Sequence, residues 1–375
     1  MTLRQRVLDT RHAVVKIGSA VFLREQTWAD RPAFAGLVEG IDALLRRGWR
    51  VTVVSSGAVA MGRQRLGQTA SPTREIPLLQ AYAALGQSRL MEMYEAEFAH
   101  YGRMVAQVLF SRGDLSDRRR YLNARYTLAN LAELGAVPII NENDTVATDE
   151  LRFGDNDQLA AMTAGLVAAD TLILLSDIDG FKEVRESGEF GAVIPSIDVD
   201  DPRVDQWAGP SVTGLGRGGM ISKVQAARMA SRAGAVTVIA PGKTRGVLQK
   251  IAAGDEIGTV LGSDESKAQT ARKVWLVSGA LPSGTLRCDG GAKKAVCSSG
   301  ASLLPSGIQF VDGDFDEGAV VELVDADGQP FARGVTAYSS QDLRKIAGQH
   351  SREIESILGF KVIDAAIHRD HLTLL

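Results

Sequence analysis

Cysteine is nearly absent: Cys288 and Cys297 are the only two in 375 residues. Two thiols without close spacing exclude a disulfide-stapled scaffold or a cysteine-rich metal knuckle, and they point to a reducing compartment. Long apolar runs are also missing. The first, Ala13 to Val15, is too short for the core of a signal peptide, and no later run approaches the roughly 20 apolar residues of a membrane span. The expectation is a cytoplasmic protein with no membrane partner. Nor does charge of one sign prevail, because 42 Lys and Arg stand against 45 Asp and Glu for a net −3. The chain as a whole therefore offers nucleic acid or an anionic membrane no attraction, and any phosphate must be met locally. The five histidines, at 12, 100, 350, 368 and 371, form no ligand cluster, so no protein metal site is expected.

With 45% apolar residues, the chain is long enough for two domains, each with its own core. Short β-branched runs alternate with Ala/Leu-rich helical patterns from the start. Ala13 to Ile17 reads as a strand, Phe34 to Arg46 as a helix and Arg50 to Val54 as a second strand. Further strands are expected at Met104 to Leu109, Val137 to Ile140, Thr171 to Leu175 and Val236 to Ile239. This is the βαβ pattern of a mostly parallel sheet sandwiched by helices, an α/β fold whose ligands gather beyond the carboxyl ends of its strands. Residues 1–261 form that domain. Residues 262–270, GSDESKAQT, lose periodicity and read as a linker. Residues 271–375 then show short strands at Val274 to Val277, Gly284 to Arg287, Ala319 to Val324 and Phe331 to Thr336, with Asp325 to Gly328 as a hairpin turn. A small, mainly β domain with a helix or two near its end is expected.

Polar clusters follow the predicted strands. Lys16-Ile17-Gly18-Ser19 sets a lysine beside glycine and hydroxyl groups, an arrangement suited to phosphate. Ser55-Ser56-Gly57-Ala58 leads into a helix whose free N–H groups favour an anion. The densest stretch runs from Ile139 to Met162 and holds Asn141, Glu142, Asn143, Asp144, Asp155, Asn156 and Asp157. Capping of the next helix explains one of these but not the run GDND. Such a cluster is suited to binding a metal, orienting a lysine or gripping the ammonium of an amino acid, and spacing alone does not choose. Ser176-Asp177 follows another strand, where a nucleotide would lie in a parallel sheet. Ser211 to Lys223 is a glycine-rich loop that enters a helix and carries a lysine suited to charge developing on a phosphoryl group. Two familiar nucleotide signatures fail. The glycines at 214, 216 and 219 follow no strand, and Gly242-Lys243-Thr244 has Thr237 where a Walker A loop needs its first glycine.

Taken in order, VVKIGS, VVSSGAVAMG, GQSRL, INEND, FGDNDQLAA, LLSDIDG and VTGLGRGGM closely resemble the glutamate 5-kinase family, which has the amino acid kinase fold. The resemblance runs from about residue 11 to 261. It continues through Ala301 to Pro305, Arg333-Gly334-Val335 and Leu343 to Gly348, which look like a PUA domain. It implies ATP-dependent phosphorylation of the γ-carboxylate of L-glutamate, with Mg²⁺ bridging ATP phosphates. By resemblance, Lys16 and Lys223 contact the transferred phosphoryl group and Asp157 holds both. Ser56, Gly57, Asn141, Asp144, Asp155 and Asn156 grip glutamate. Lys16, Gly18, Ser176, Asp177, Arg217, Gly218, Gly219, Met220, Ile221, Ser222 and Lys223 meet the nucleotide. Arg217 stands where the family usually has threonine, and Phe181-Lys182 where it has Leu-Tyr. The same resemblance implies L-proline as feedback inhibitor, a homo-oligomer (dimer or tetramer) and hand-off of product to glutamyl phosphate reductase.

Two other readings compete. One is another amino acid kinase, acting on N-acetylglutamate, aspartate or a nucleoside monophosphate, against which the GDND stretch and the appended domain argue. The other makes the C-terminal domain an RNA binder. Residues 271–375 carry eleven Lys and Arg against thirteen Asp and Glu, a poor balance for phosphate contacts.

Overall fold

The computed structural model describes residues 2–24, 28–67, 75–146, 156–185, 187, 189–209, 219–263 and 282–374, without the side chains of 24, 28, 112, 116, 118 and 370. The chain divides into two units, Met1–Gln269 and Thr270–Leu375. Most of the expected linker, and the strand expected at Val274 to Val277, lie outside the described residues.

Eight strands build the sheet of the first unit: β1 His12–Ile17, β2 Arg50–Ser55, β3 Met104–Phe110, β4 Ala136–Glu142, β5 Thr171–Ser176, β6 Ser196–Asp198, β7 Val236–Pro241 and β8 Thr259–Gly262. Their order across the sheet is β6-β8-β7-β5-β1-β2-β4-β3. Every neighbouring pair is parallel except β7 and β8. The chain adds β2, β4 and β3 on one side of β1 and β5 and β7 on the other, so β1 is where the winding reverses. Pairing of Ile17 with Ser55 and with Leu175, and of Val54 with Ile140, aligns the carboxyl ends of the central strands along one edge. Crevices at such an edge take ligands in open α/β sheets.

Helices α1 Arg31–Arg46, α2 Ala58–Arg65, α3 Ile76–Ala99, α4 Asn156–Leu166 and α5 Gly219–Arg232 cover the sheet. Side chains of a strand alternate between faces, and β1 is buried throughout, so its residues divide between two cores. Ala13, Val15 and Ile17 pack with Phe34, Val38 and Ile41 of α1 and Leu90 and Tyr94 of α3. Val14 packs on the opposite side with Leu159 and Ala164 of α4 and Val224 and Ala227 of α5. Each fully buried Leu, Ile or Phe contributes roughly 1.5–3 kcal/mol by leaving water. Lys16 lies two residues after Val14, so it emerges on the face that α4 and α5 cover.

Helices α2 and α3 touch backbone to backbone. A Cβ on Gly62 would stand 1.8 Å from the carbonyl oxygen of Tyr82, and one on Gly86 would stand 1.8 Å from that of Ala58. Only glycine permits this approach. It fixes the height of α3, and with it the residue after Gly86, above the end of β2.

The second unit carries a sheet of five strands, β9 Gly284–Cys288, β10 Ile308–Asp312, β11 Val320–Val324, β12 Pro330–Val335 and β13 Leu372–Leu374, in the order β10-β9-β11-β12-β13. The expected hairpin turn joins antiparallel β11 and β12, with Gly328 at φ +77° and the Asp325 carboxylate accepting from the N–H groups of Asp327 and Gln329. Helices Ser340–Ile346 and Ile354–Leu358 lie near the end of the chain. A further helix, Gly290–Ser299, comes earlier than expected; Asp289 caps it by accepting from Ala292 N. Its Gly-Gly opening conceals it in the sequence. Among the described residues no helix is long and apolar enough to cross a membrane.

Candidate functional site

Three charged side chains from three elements meet at the carboxyl edge of β1. Lys16 Nζ lies 2.6 Å from Asp157 Oδ1, and Lys223 Nζ lies 3.0 Å from Asp157 Oδ2. Asp157 is wholly buried, and the two lysines nearly so. Each lysine thus takes its own carboxylate oxygen. Asp157 comes from the first turn of α4, and Lys223 from the first turns of α5, where its ammonium also reaches Gly219 O at 3.4 Å. Burial raises the pKa of the Asp157 carboxyl, but the charges and hydrogen bonds of Lys16 and Lys223 outweigh it and hold the group below its usual value. Among the described residues, two ammonium groups on one carboxylate leave a net positive charge in a dry place, where an anion is held far more strongly than in water. Gly18 follows Lys16 and Ile17, and a Cβ there would press on Leu175 O at 3.3 Å while meeting Lys16 Nζ only in ordinary contact at 3.8 Å.

A second, uncharged cluster lies at the ends of β2 and β4. Asn156 Nδ2 is 2.6 Å from Ser55 O, 2.9 Å from Ser56 Oγ and 3.0 Å from Asn141 Oδ1. Asn141 Oδ1 also accepts from Glu142 N at 2.9 Å, and its Nδ2 donates to Gln87 Oε1 at 2.9 Å. Beneath them Ser55 Oγ and Tyr94 OH are 2.9 Å apart, and burial pushes the Tyr94 phenol up, against the smaller lowering effect of the Ser55 bond. Ser56 is not the helix cap that a strand–helix turn commonly places there. Gly57 caps α2 with no side-chain bond, at φ +103°, where a Cβ would come 3.0 Å from Phe22 Cζ.

Adjacent residues Asn156 and Asp157 therefore serve both clusters, which explains why a run of short polar residues opens α4. Asp144 follows β4, half-buried, in the wall of a cleft of about 190 Å³ that Ala58, Gln87, Ser88 and Glu142 also line. Ser176 ends β5 and donates to Asp177 Oδ1 at 3.0 Å; Asp177 itself is exposed. Gly219, Met220, Ile221 and Ser222 form the first turn of α5. Asp155, Arg217 and Gly218 lie outside the described residues. Phe181 is fully buried against Trp207. Sequence reasoning assigns no site role to Tyr94, or to Gln87 although it lies in the GQSRL motif of the resemblance, because a glutamine and a tyrosine at helical spacing in α3 carry no local signal of a site. Among the described residues no group of three or more His, Cys, Asp and Glu is placed to hold a metal ion.

Comparison with known families matches residues 11–240 to the amino acid kinase family and residues 284–358 to the PUA domain. Over 375 residues the chain is 48% identical to a glutamate 5-kinase of Teredinibacter turnerae, covering 100% of both chains. It is 46% identical over 374 residues to one of Pseudomonas entomophila, again covering 100% of both. Among solved structures, a carbamate kinase from Giardia lamblia bound to AMP-PNP superposes with a TM-score of 0.50 at 16% identity, over 68% of this chain and 100% of that one, and so shares the fold.

Proposed function

Since the chain belongs to the amino acid kinase family, and within it to the glutamate 5-kinases, we infer that it transfers the γ-phosphoryl group of ATP to the γ-carboxylate of L-glutamate. The products are L-glutamyl 5-phosphate and ADP, and the reaction is the first step of proline biosynthesis. One observation carries the residue-level reading: Asp157 clamps Lys16 and Lys223, one on each oxygen.

A carboxylate oxygen of glutamate forms a bond to the γ-phosphorus as the bond from that phosphorus to the β–γ bridging oxygen breaks. With a reference pKa of about 4.3 the nucleophile is already ionised at neutral pH, so no proton moves and no general base is needed. The barrier then depends on alignment and on charge, as in phosphoryl transfer through a loose transition state. Lys16 and Lys223 neutralise the γ-phosphoryl oxygens as charge spreads over them, and Asp157 keeps the two ammonium groups from moving apart. Ser56, Gly57, Asp144, Asp155 and Asn156 grip glutamate, while Asn141 acts through Asn156. Gly18, Ser176, Asp177, Arg217, Gly218 and the residues from Gly219 to Lys223 that open α5 are assigned to the nucleotide.

Mg²⁺ fits this site as an ion carried on ATP. It prefers oxygen ligands and readily takes phosphates and water, whereas Asp157 has both of its oxygens on lysines. When bound, it supplies further neutralisation of phosphate charge. L-Proline, which shares the α-carboxylate and the amine of glutamate, is proposed to compete for the same grip. The acyl phosphate product is a reactive mixed anhydride, which supports direct hand-off to a reductase, and a homo-oligomer is proposed. The test is ADP release with glutamate, N-acetylglutamate and aspartate in parallel. Glutamate is expected to be the preferred acceptor, and preference for either of the others contradicts the assignment.

A further inference from the structure

Gln87 is a glutamine whose two ends are treated differently. Its Oε1 accepts from Asn141 Nδ2 at 2.9 Å, while its Nε2 is buried with no hydrogen-bond partner among the described residues. A buried donor without a partner is costly, so an apolar side chain of similar volume would suit the packing better. What an apolar side chain would lack is the acceptor.

That acceptor matters because two backbone groups fix the polarity of a chain of amides. A backbone N–H only donates and a carbonyl oxygen only accepts. Glu142 N therefore requires the oxygen of Asn141 to face it, and Ser55 O requires the nitrogen of Asn156 to face it. Asn141 Nδ2 is consequently turned away from both, toward Gln87, and needs an acceptor there. Of the two hydrogens on Asn156 Nδ2, one goes to Ser55 O and the other is shared between Asn141 Oδ1 and Ser56 Oγ. The Ser56 hydroxyl hydrogen is then left for an outside acceptor, and Asn156 Oδ1 for an outside donor. A carboxylate and an ammonium group are the partners that such a pair fits.

We propose that Gln87 is a positioning residue for the amino-acid half of the reaction: its Oε1 locks Asn141, and through it Asn156 and Ser56, in the polarity that grips the substrate. The proposal rests on the glutamate kinase reading above. Gln87 touches no reacting atom, and its own place is set by the contact of Gly86 with Ala58.

Gln87→Met keeps the length and volume of the side chain and removes the acceptor. The KM for glutamate should rise about tenfold, as for one lost hydrogen bond, while kcat and the KM for ATP stay within about twofold of wild type. In an Asn141→Ala background the same change should shift the KM for glutamate by less than about twofold, because Gln87 acts only through Asn141. A wild-type KM in Gln87→Met, an equal rise in both KM values, or additive effects in the double variant would overturn the proposal. If Gln87→Met does not fold, Gln87→Asn withdraws the acceptor by one methylene and must give the same split; an unchanged KM for glutamate there also overturns it. Wild type is assayed alongside. If it releases no ADP with glutamate, the functional reading has failed, and the polarity of the network is then tested on the substrate that the enzyme does phosphorylate.

Discussion

Lys16 and Asp157 touch at 2.6 Å although β1 and α4 lie far apart in the chain, and the wholly buried carboxylate holds Lys223 on its other oxygen. A buried carboxylate with one ammonium group would be a neutral pair. With two, the described residues make a cationic platform at the carboxyl edge of the sheet.

Removing one arm of that platform should slow chemistry more than binding. Lys223→Ala is expected to lower kcat by at least about a hundredfold, the range for losing one group that stabilises transition-state charge, with the KM for glutamate changed only a few-fold. Steady-state kinetics with both substrates varied check this, and near-normal turnover would remove Lys223 from its assigned role.

The contact between α2 and α3 allows no side chain. Gly86→Ala drives a methyl group to within 1.8 Å of Ala58 O, against backbone that cannot step aside. Unfolding in urea should show a loss of more than about 3 kcal/mol, the severe end for overpacking. Gly57→Ala forces a left-handed conformation at φ +103° and should cost less, about 1–2 kcal/mol.

His12 makes the fold sensitive to acid. Burial, reinforced by Arg50, holds its imidazole at about 4 against a usual 6.5, and Asp170 and a bond with Val167 offset only part of this. Below about pH 6.5 the unfolded chain gains a proton that the folded chain refuses until about pH 4. Stability that is fully present above pH 6.5 is therefore lost as pH falls through that window, by about 3 kcal/mol for this group. His12→Gln should flatten this part of the profile in denaturant titrations at about pH 7 and about pH 4.5. An unchanged difference between the two would refute the assignment.

Truncation after residue 269, at the boundary between the two units, should leave a folded kinase with measurable activity. Insolubility of the truncated chain would show that the second unit supports the first.

Much of this was legible in the sequence for definite reasons. The strands β1, β2, β4 and β5 are buried on both faces, and so read as short β-branched runs. GDND stood out because helix capping explains a single polar residue, whereas Asn156 and Asp157 serve two clusters. Shorter elements escaped: β6 and β8 have three and four residues, too few to show a period. Gln87 escaped for a different reason. Its role depends on an amide polarity set by Glu142 N and Ser55 O, two backbone groups that no pattern of side chains reveals.

The central claim is that a carboxylate oxygen of glutamate attacks phosphorus between two clamped lysines. Glutamate labelled with ¹⁸O in both γ-carboxylate oxygens, incubated with the enzyme, ATP and Mg²⁺, tests it directly. Trapping the product with hydroxylamine cleaves the acyl carbon–oxygen bond and leaves the bridging oxygen on phosphate. The account predicts one ¹⁸O in each phosphate released, in step with ADP and hydroxamate. Unlabelled phosphate formed in step with ADP would mean that water, not the carboxylate, is the nucleophile.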